Sequence, residues 1–229
     1  MKTKLYFTAI MLLGCMAISN AQAQNTECVT NLSIYTEHVK VKNYDAAYTP
    51  WKMVYETCPE LNWANFVYGE RILKDKIKKS SGADKDGFIT DLLTLFDASE
   101  KYFPKKVSKA GVIIDKVLLK YENKMISDDE IYSNLSTAFT DDKANFKNPK
   151  ALYLYFSSLV DLNKAGSKDL QEVFDVYDNV TEKIEEENTK LTGAIAKLLP
   201  KEEAGTLTSK EKKKLKGYNT NSESFGKIA

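Results

Sequence analysis

Two of the three cysteines, a single histidine and a few runs of acids are the residues of this chain whose types and spacing could do chemistry. Cys28 stands at the start of a first helical segment and Cys58 at the end of a second. In an antiparallel hairpin those two ends are neighbours, so the expected chemistry is a disulfide. In an oxidising compartment a bridge over a loop of this length contributes roughly 3–4 kcal/mol by the chain-entropy account. Two free, buried thiols are the alternative.

His38 lies within the first helical segment with no Cys, Asp or second His at metal-ligand spacing, so it reads as a packed helical side chain rather than a ligand or general base. Asp84-Lys85-Asp86-Gly87-Phe88-Ile89 imitates the middle of a calcium-binding loop. With Gly87 as the invariant glycine, the first and last ligand positions fall on Gly82 and Leu93, and neither offers a side-chain oxygen. Asp86 is then better read as a helix cap. Asp128-Asp129-Glu130 and Glu185-Glu186-Glu187 could supply acid and base for glycan cleavage only if two carboxyls faced one another across a cleft. Helix starts and solvated faces account for them more simply. Neither a Gly-x-Ser-x-Gly elbow nor a Gly-x-x-x-x-Gly-Lys phosphate loop occurs. The expectation is a protein without catalytic residues, cofactor or metal.

The elements that must position these residues are helices. Gly and Pro number only 10 and 5, and apolar residues recur at three- and four-residue spacing. The pattern predicts helices over 28–42, 44–58, 61–79, 86–103, 108–123, 128–140, 149–164, 168–199 and 209–227. Ser127 and Glu130 have capping-box spacing, Asn148-Pro149 opens a helix, and Gly166 closes it. Leu170, Tyr177, Ile184, Leu191 and Leu198, joined by Val173, Val180 and Ala194, make a long amphipathic stripe, interrupted at Glu185-Glu186-Glu187-Asn188. The stripe is expected to pack within a helical array rather than form a coiled-coil dimer.

The N-terminus carries Lys2 and Lys4, an apolar run from Leu5 to Ile18, and Ala21-Gln22-Ala23. That anatomy predicts a signal peptide over 1–23, cleaved after Ala23. Leu12-Leu13-Gly14-Cys15 is a rival lipobox that would leave a lipid on Cys15. No later segment is apolar enough to span a bilayer. Cleavage leaves acids and bases nearly equal, and Arg71 is the only arginine. Nucleic acid, which needs a concentrated basic surface, is excluded as a partner on this balance. The lysine run from Lys210 to Lys216 reads as an exposed helix face.

Ala47, Trp51 and Pro59 have tetratricopeptide-like spacing, and Tyr68-Gly69-x-x-Ile72 continues it at a phase of about 34 residues. With Cys28-Val29-x-Asn31-Leu32-Ser33-x-Tyr35, Trp51-x-x-Val54-Tyr55-x-x-Cys58-Pro59 and Tyr102-Phe103-Pro104, residues 28–125 resemble a group of tetratricopeptide-like exported proteins of Bacteroidota. The resemblance implies a helical-repeat fold and a cell-envelope address, and implies no reaction. The chain is thus read as all-α, with a tetratricopeptide-like region over 24–125 and a C-terminal helical region over 126–229. Phe225 and Ile228 read as an unfinished apolar face, so a further C-terminal part is expected. Helical hairpins stacked in this way leave a groove for a protein or peptide. Tyr35, Tyr48, Tyr55 and Tyr68 are the candidate partner-binding residues, and an envelope enzyme or glycan-binding protein is the alternative.

Overall fold

A computed structural model describes residues 26–228, and within them every regular element is helical. The signal-peptide reading and Cys15 lie outside the described residues. The chain divides into two compact units between Val107 and Ser108, ahead of the 125/126 division read from the sequence. The helix over 109–122, placed with the first region by resemblance, packs against the helix that follows it.

The first unit holds α1 (26–40), α2 (Tyr44–Thr57), α3 (Ala64–Lys79) and α4 (Gly82–Tyr102). Turns of a few residues join them, so successive helices run antiparallel. Lys42 adopts a left-handed φ of 59° in the first turn, and the Asn43 side chain accepts from the Ala46 N–H to start α2. Helix α4 begins at Gly82, whose φ is +57°, and not at Asp86. Asp84, Lys85 and Asp86 are therefore helical residues, and the calcium-loop imitation is not a loop at all.

Where α2 meets α3 the approach is very close. A Cβ on Gly69 would lie 2.6 Å from the Trp51 indole, so the ring occupies the space that any other residue would need. Ala47, Trp51 and Val54 of α2 are buried there with Phe66, Ile72 and Leu73 of α3. Ile89, Leu92, Leu95 and Phe96 of α4 close the core on the other side of α3.

In the second unit α5 (Lys109–Glu122), α6 (Asp128–Asp142), α7 (Pro149–Lys164) and α8 (Leu170–Ala196) pack in succession. A short α9 (Leu199–Glu203) leads to α10 (Ser209–Gly226), which returns against α8 and α7. The Ser127–Glu130 capping box forms as its spacing requires, and a second, Thr208–Glu211, starts α10. Asn148 caps α7, and Gly166 at φ +77° ends it. The core gathers Ile114, Val117, Leu135, Leu152 and Leu159 around the rings of Phe139, Phe146 and Tyr155. Phe225 is buried in this core and Ile228 packs at its border, so the apolar face read as unfinished is covered within the chain.

Helix α8 departs from the stripe expected of it. Val176, Val180 and Ile184 face the core, whereas Leu170 and Tyr177 are half exposed. Nor is the acidic interruption all solvated. Lys183 is wholly buried, and its ammonium bonds Glu187, itself almost buried, at 2.7 Å and Glu186 at 3.0 Å. Lys190 joins both acids, so cations and carboxylates alternate along one helix.

That cluster predicts a pH dependence. Burial pushes the Glu187 carboxyl up, but hydrogen bonds from Lys183 and Lys190 outweigh it and hold the group below its ordinary value. Lys190 and then Lys183 pull Glu186 down to about 2. A depressed carboxyl stabilises the fold fully above its unfolded value of 4.5, and that contribution disappears as the pH falls through the folded value. Glu187→Gln is expected to lower unfolding stability at pH 7 by about 2–3 kcal/mol, because it leaves a buried ammonium with one half-exposed partner. Urea titrations of both proteins should show that gap constant from about pH 7 to 5 and shrinking below about 4.5. A gap that is the same at every pH would refute the ion-pair account.

Candidate functional site

Cys28 and Cys58 form a disulfide with Cα atoms 6.4 Å apart, joining the start of α1 to the end of α2. Cys28 is buried beneath the hairpin. Such a bridge is the chemistry of an oxidising, exported location. Among the described residues no helix is long and apolar enough to cross a membrane.

Asn65, a residue the sequence reading passed over, organises the ground beside the bridge. It is fully buried at the start of α3. Its side-chain oxygen accepts from the Tyr35 hydroxyl of α1, and its amide donates to the carbonyls of Cys58 and Pro59 at 3.2 and 3.1 Å. Its own carbonyl accepts from the Trp51 indole at 2.8 Å. One residue thus ties α1, α2 and the turn after the disulfide to α3. A buried asparagine within a helical repeat has no local sequence signature, since only tertiary contacts tell it from a solvated one.

The four candidate tyrosines do not share a face. Tyr35 is wholly buried, and burial followed by the neighbouring Tyr68 raises its hydroxyl pKa well above the phenol range. With no exposed surface, Tyr35 cannot touch a partner and is a core residue. Tyr68 packs edge-on against it at 6.2 Å, and the Arg71 guanidinium lies 5.4 Å from the Tyr68 ring centre. Tyr48 lies between α2 and α4, edge-on to Phe88 at 5.8 Å, with the ammonium groups of Lys52 and Lys76 at 5.8 and 5.2 Å from the ring centre. His38 is half-buried on α1.

Tyr55 opens onto a cavity. It stacks on Trp51 at 5.5 Å with the rings only 11° from parallel, and meets Phe66 edge-on. Its outer side lines a groove of about 380 Å³ between α2 and α4, shared with Glu56, Pro59, Asp97, Lys101 and Tyr102. Burial, then the nearby Tyr102 hydroxyl and the carboxylates of Asp91, Asp97 and Glu56, push the Tyr55 phenol pKa up. It remains a neutral hydrogen-bonding group over an aromatic floor. Lys101 lies over the Tyr102 ring at 5.0 Å, completing an apolar groove with a charged rim. Such a groove has the make-up of a recognition surface, with flat rings for contact and polar tips for direction.

Among the described residues no three or more His, Cys, Asp or Glu side chains come together at metal-binding distance. Asp128, Asp129 and Glu130 occupy the first turn of α6, and Glu130 serves the capping box. Comparison with known proteins returns no matching family model, no matching curated protein and no matching solved structure.

Proposed function

We propose that this is a non-catalytic exported helical-repeat protein of the bacterial cell envelope that holds a protein partner through the α2–α4 groove of its first unit. The groove around Tyr55 and Tyr102 is the observation that carries this reading. It is lined by residues of α2 and α4 and floored by rings already fixed by Trp51 and Phe66. An extended or helical segment of a partner fits such a surface, and rigid aromatic anchors lose little entropy on binding it. Tetratricopeptide-like spacing and the resemblance to exported Bacteroidota proteins support the envelope address, as does the disulfide.

The test is crosslinked co-purification from native envelope extract, followed by titration of the purified partner against the parent protein and a Tyr55→Ala/Tyr102→Ala variant. The expected result is a stoichiometric protein whose affinity falls by about 100-fold in the variant, the loss typical of central aromatic anchors. Circular dichroism of the variant checks that the fold is intact. Equal binding by both proteins would remove the groove from the account. Capture of glycan in place of protein would replace the partner reading with the carbohydrate one.

A further inference from the structure

The second unit carries an apolar surface that its own core does not use. On α8, Leu170, Phe174 and Tyr177 are 56%, 56% and 52% exposed, and on α7 Tyr153 is 53% exposed. They form one strip, because Phe156, one turn beyond Tyr153, meets Tyr177 with ring centres 5.7 Å apart. Three half-exposed rings and a leucine present roughly 400 Å² of apolar surface, taking an aromatic side chain to bury 150–250 Å² when covered. A patch of that size on one face marks an association site.

The charges beside the strip select its occupant. Beyond Phe174, α8 presents the acids Asp178 and Glu185, for which no ion pair is found among the described residues. Beyond Tyr153, α7 presents Lys150 and Lys164, both exposed; each pairs with an acid at the surface, Glu122 and Asp161, and Lys150 also lies over the Tyr121 ring at 5.4 Å. The α8 rim is acidic, and the α7 rim offers lysines whose exposed surface pairs can be exchanged for a partner's acids, so the strip can complement a second copy of itself. We propose that this strip is the interface of a homodimer, with α7 of one protomer lying against α8 of its partner about a twofold axis along the helices. The Phe156–Tyr177 contact sets the antiparallel register of α7 and α8 and puts Lys150 within a turn of the height of Glu185. In the dimer Lys150 therefore faces the partner's Glu185. A twofold axis across the helices would instead set acid against acid. Both faces together bury roughly 800 Å² of apolar surface, and the charged rims bring the total to about 1,200 Å², the lower bound for a stable complex.

Sedimentation equilibrium of the chain, purified with its disulfide closed, tests this. The expected result is a monomer–dimer equilibrium with a dissociation constant in the micromolar range. Phe174→Asp should raise that constant by about 100-fold with unchanged helical circular dichroism, since the ring is half exposed in the monomer. Tyr153→Lys provides the same reading from α7 if the first variant fails to fold. Glu185→Lys should weaken the dimer about fivefold, and Lys150→Glu added to it should restore the affinity. A chain still monomeric at about 200 μM overturns the proposal and leaves the strip to a different protein. A dimer indifferent to both apolar variants overturns it too, and failure of the charge swap overturns the α7-against-α8 arrangement.

Discussion

Replacing Asn65 with alanine is expected to cost about 3–4 kcal/mol of unfolding stability, although the substitution removes only a small polar group. The Tyr35 hydroxyl would lose its acceptor inside the core, and the part-buried carbonyls of Cys58 and Pro59 would lose their donor. Each stranded group costs about 1–3 kcal/mol, far more than the net worth of a hydrogen bond that water can replace. Tyr35→Phe alone should cost about 1–3 kcal/mol, because the Asn65 side-chain oxygen then loses its donor inside the core. In the double variant the two losses should fall short of additive, since the hydroxyl that Asn65→Ala would orphan is then absent. Urea unfolding of the three variants checks this, and a cost below about 1 kcal/mol for Asn65→Ala would show that the site is not the junction described.

Removing the disulfide by Cys28→Ala/Cys58→Ala should lower the stability of the first unit by about 3–4 kcal/mol through the loop that the bridge closes. The second unit has its own core and no part in the bridge, so its unfolding should not move. The measurement is calorimetry of oxidised, reduced and double-alanine protein, following the two units by hydrogen exchange. Reduction of the parent protein should reproduce the double variant. If reduction shifts neither transition, the bridge contributes no stability. If it shifts both equally, the units do not unfold independently.

Most helix positions were legible in the residues themselves. Apolar spacing located α2, α3 and α5 to α7 within a few residues, and local capping chemistry marked Ser127, Asn148 and Gly166. These signals are local, because a cap or a helical stripe involves residues that stay close whatever the rest of the chain does. The start of α4 was misread because Asp86 is a good cap by type, while Ser81 and a left-handed Gly82 begin the helix earlier. The disulfide was legible for a similar reason, since two ends of one hairpin are neighbours by construction.

What the sequence determined by itself, then, is an all-helical chain with a bridged first hairpin, because each of those features rests on short-range spacing. Which face of a helix turns inward is a different matter. Leu170 and Tyr177 satisfy the heptad stripe as well as Ile184 does, yet only Ile184 meets the core, because α7 and α10 reach α8 along one side and leave the other open. Tertiary structure alone decided that Tyr35 is a core residue and Tyr55 a groove residue, that Asn65 is a junction, and that Lys183 lies buried between carboxylates. The first three depend on partners far away in the chain and the last on distant residues that bury a local ion cluster, and residue type states what a side chain can do while only its neighbours decide which of those things it does.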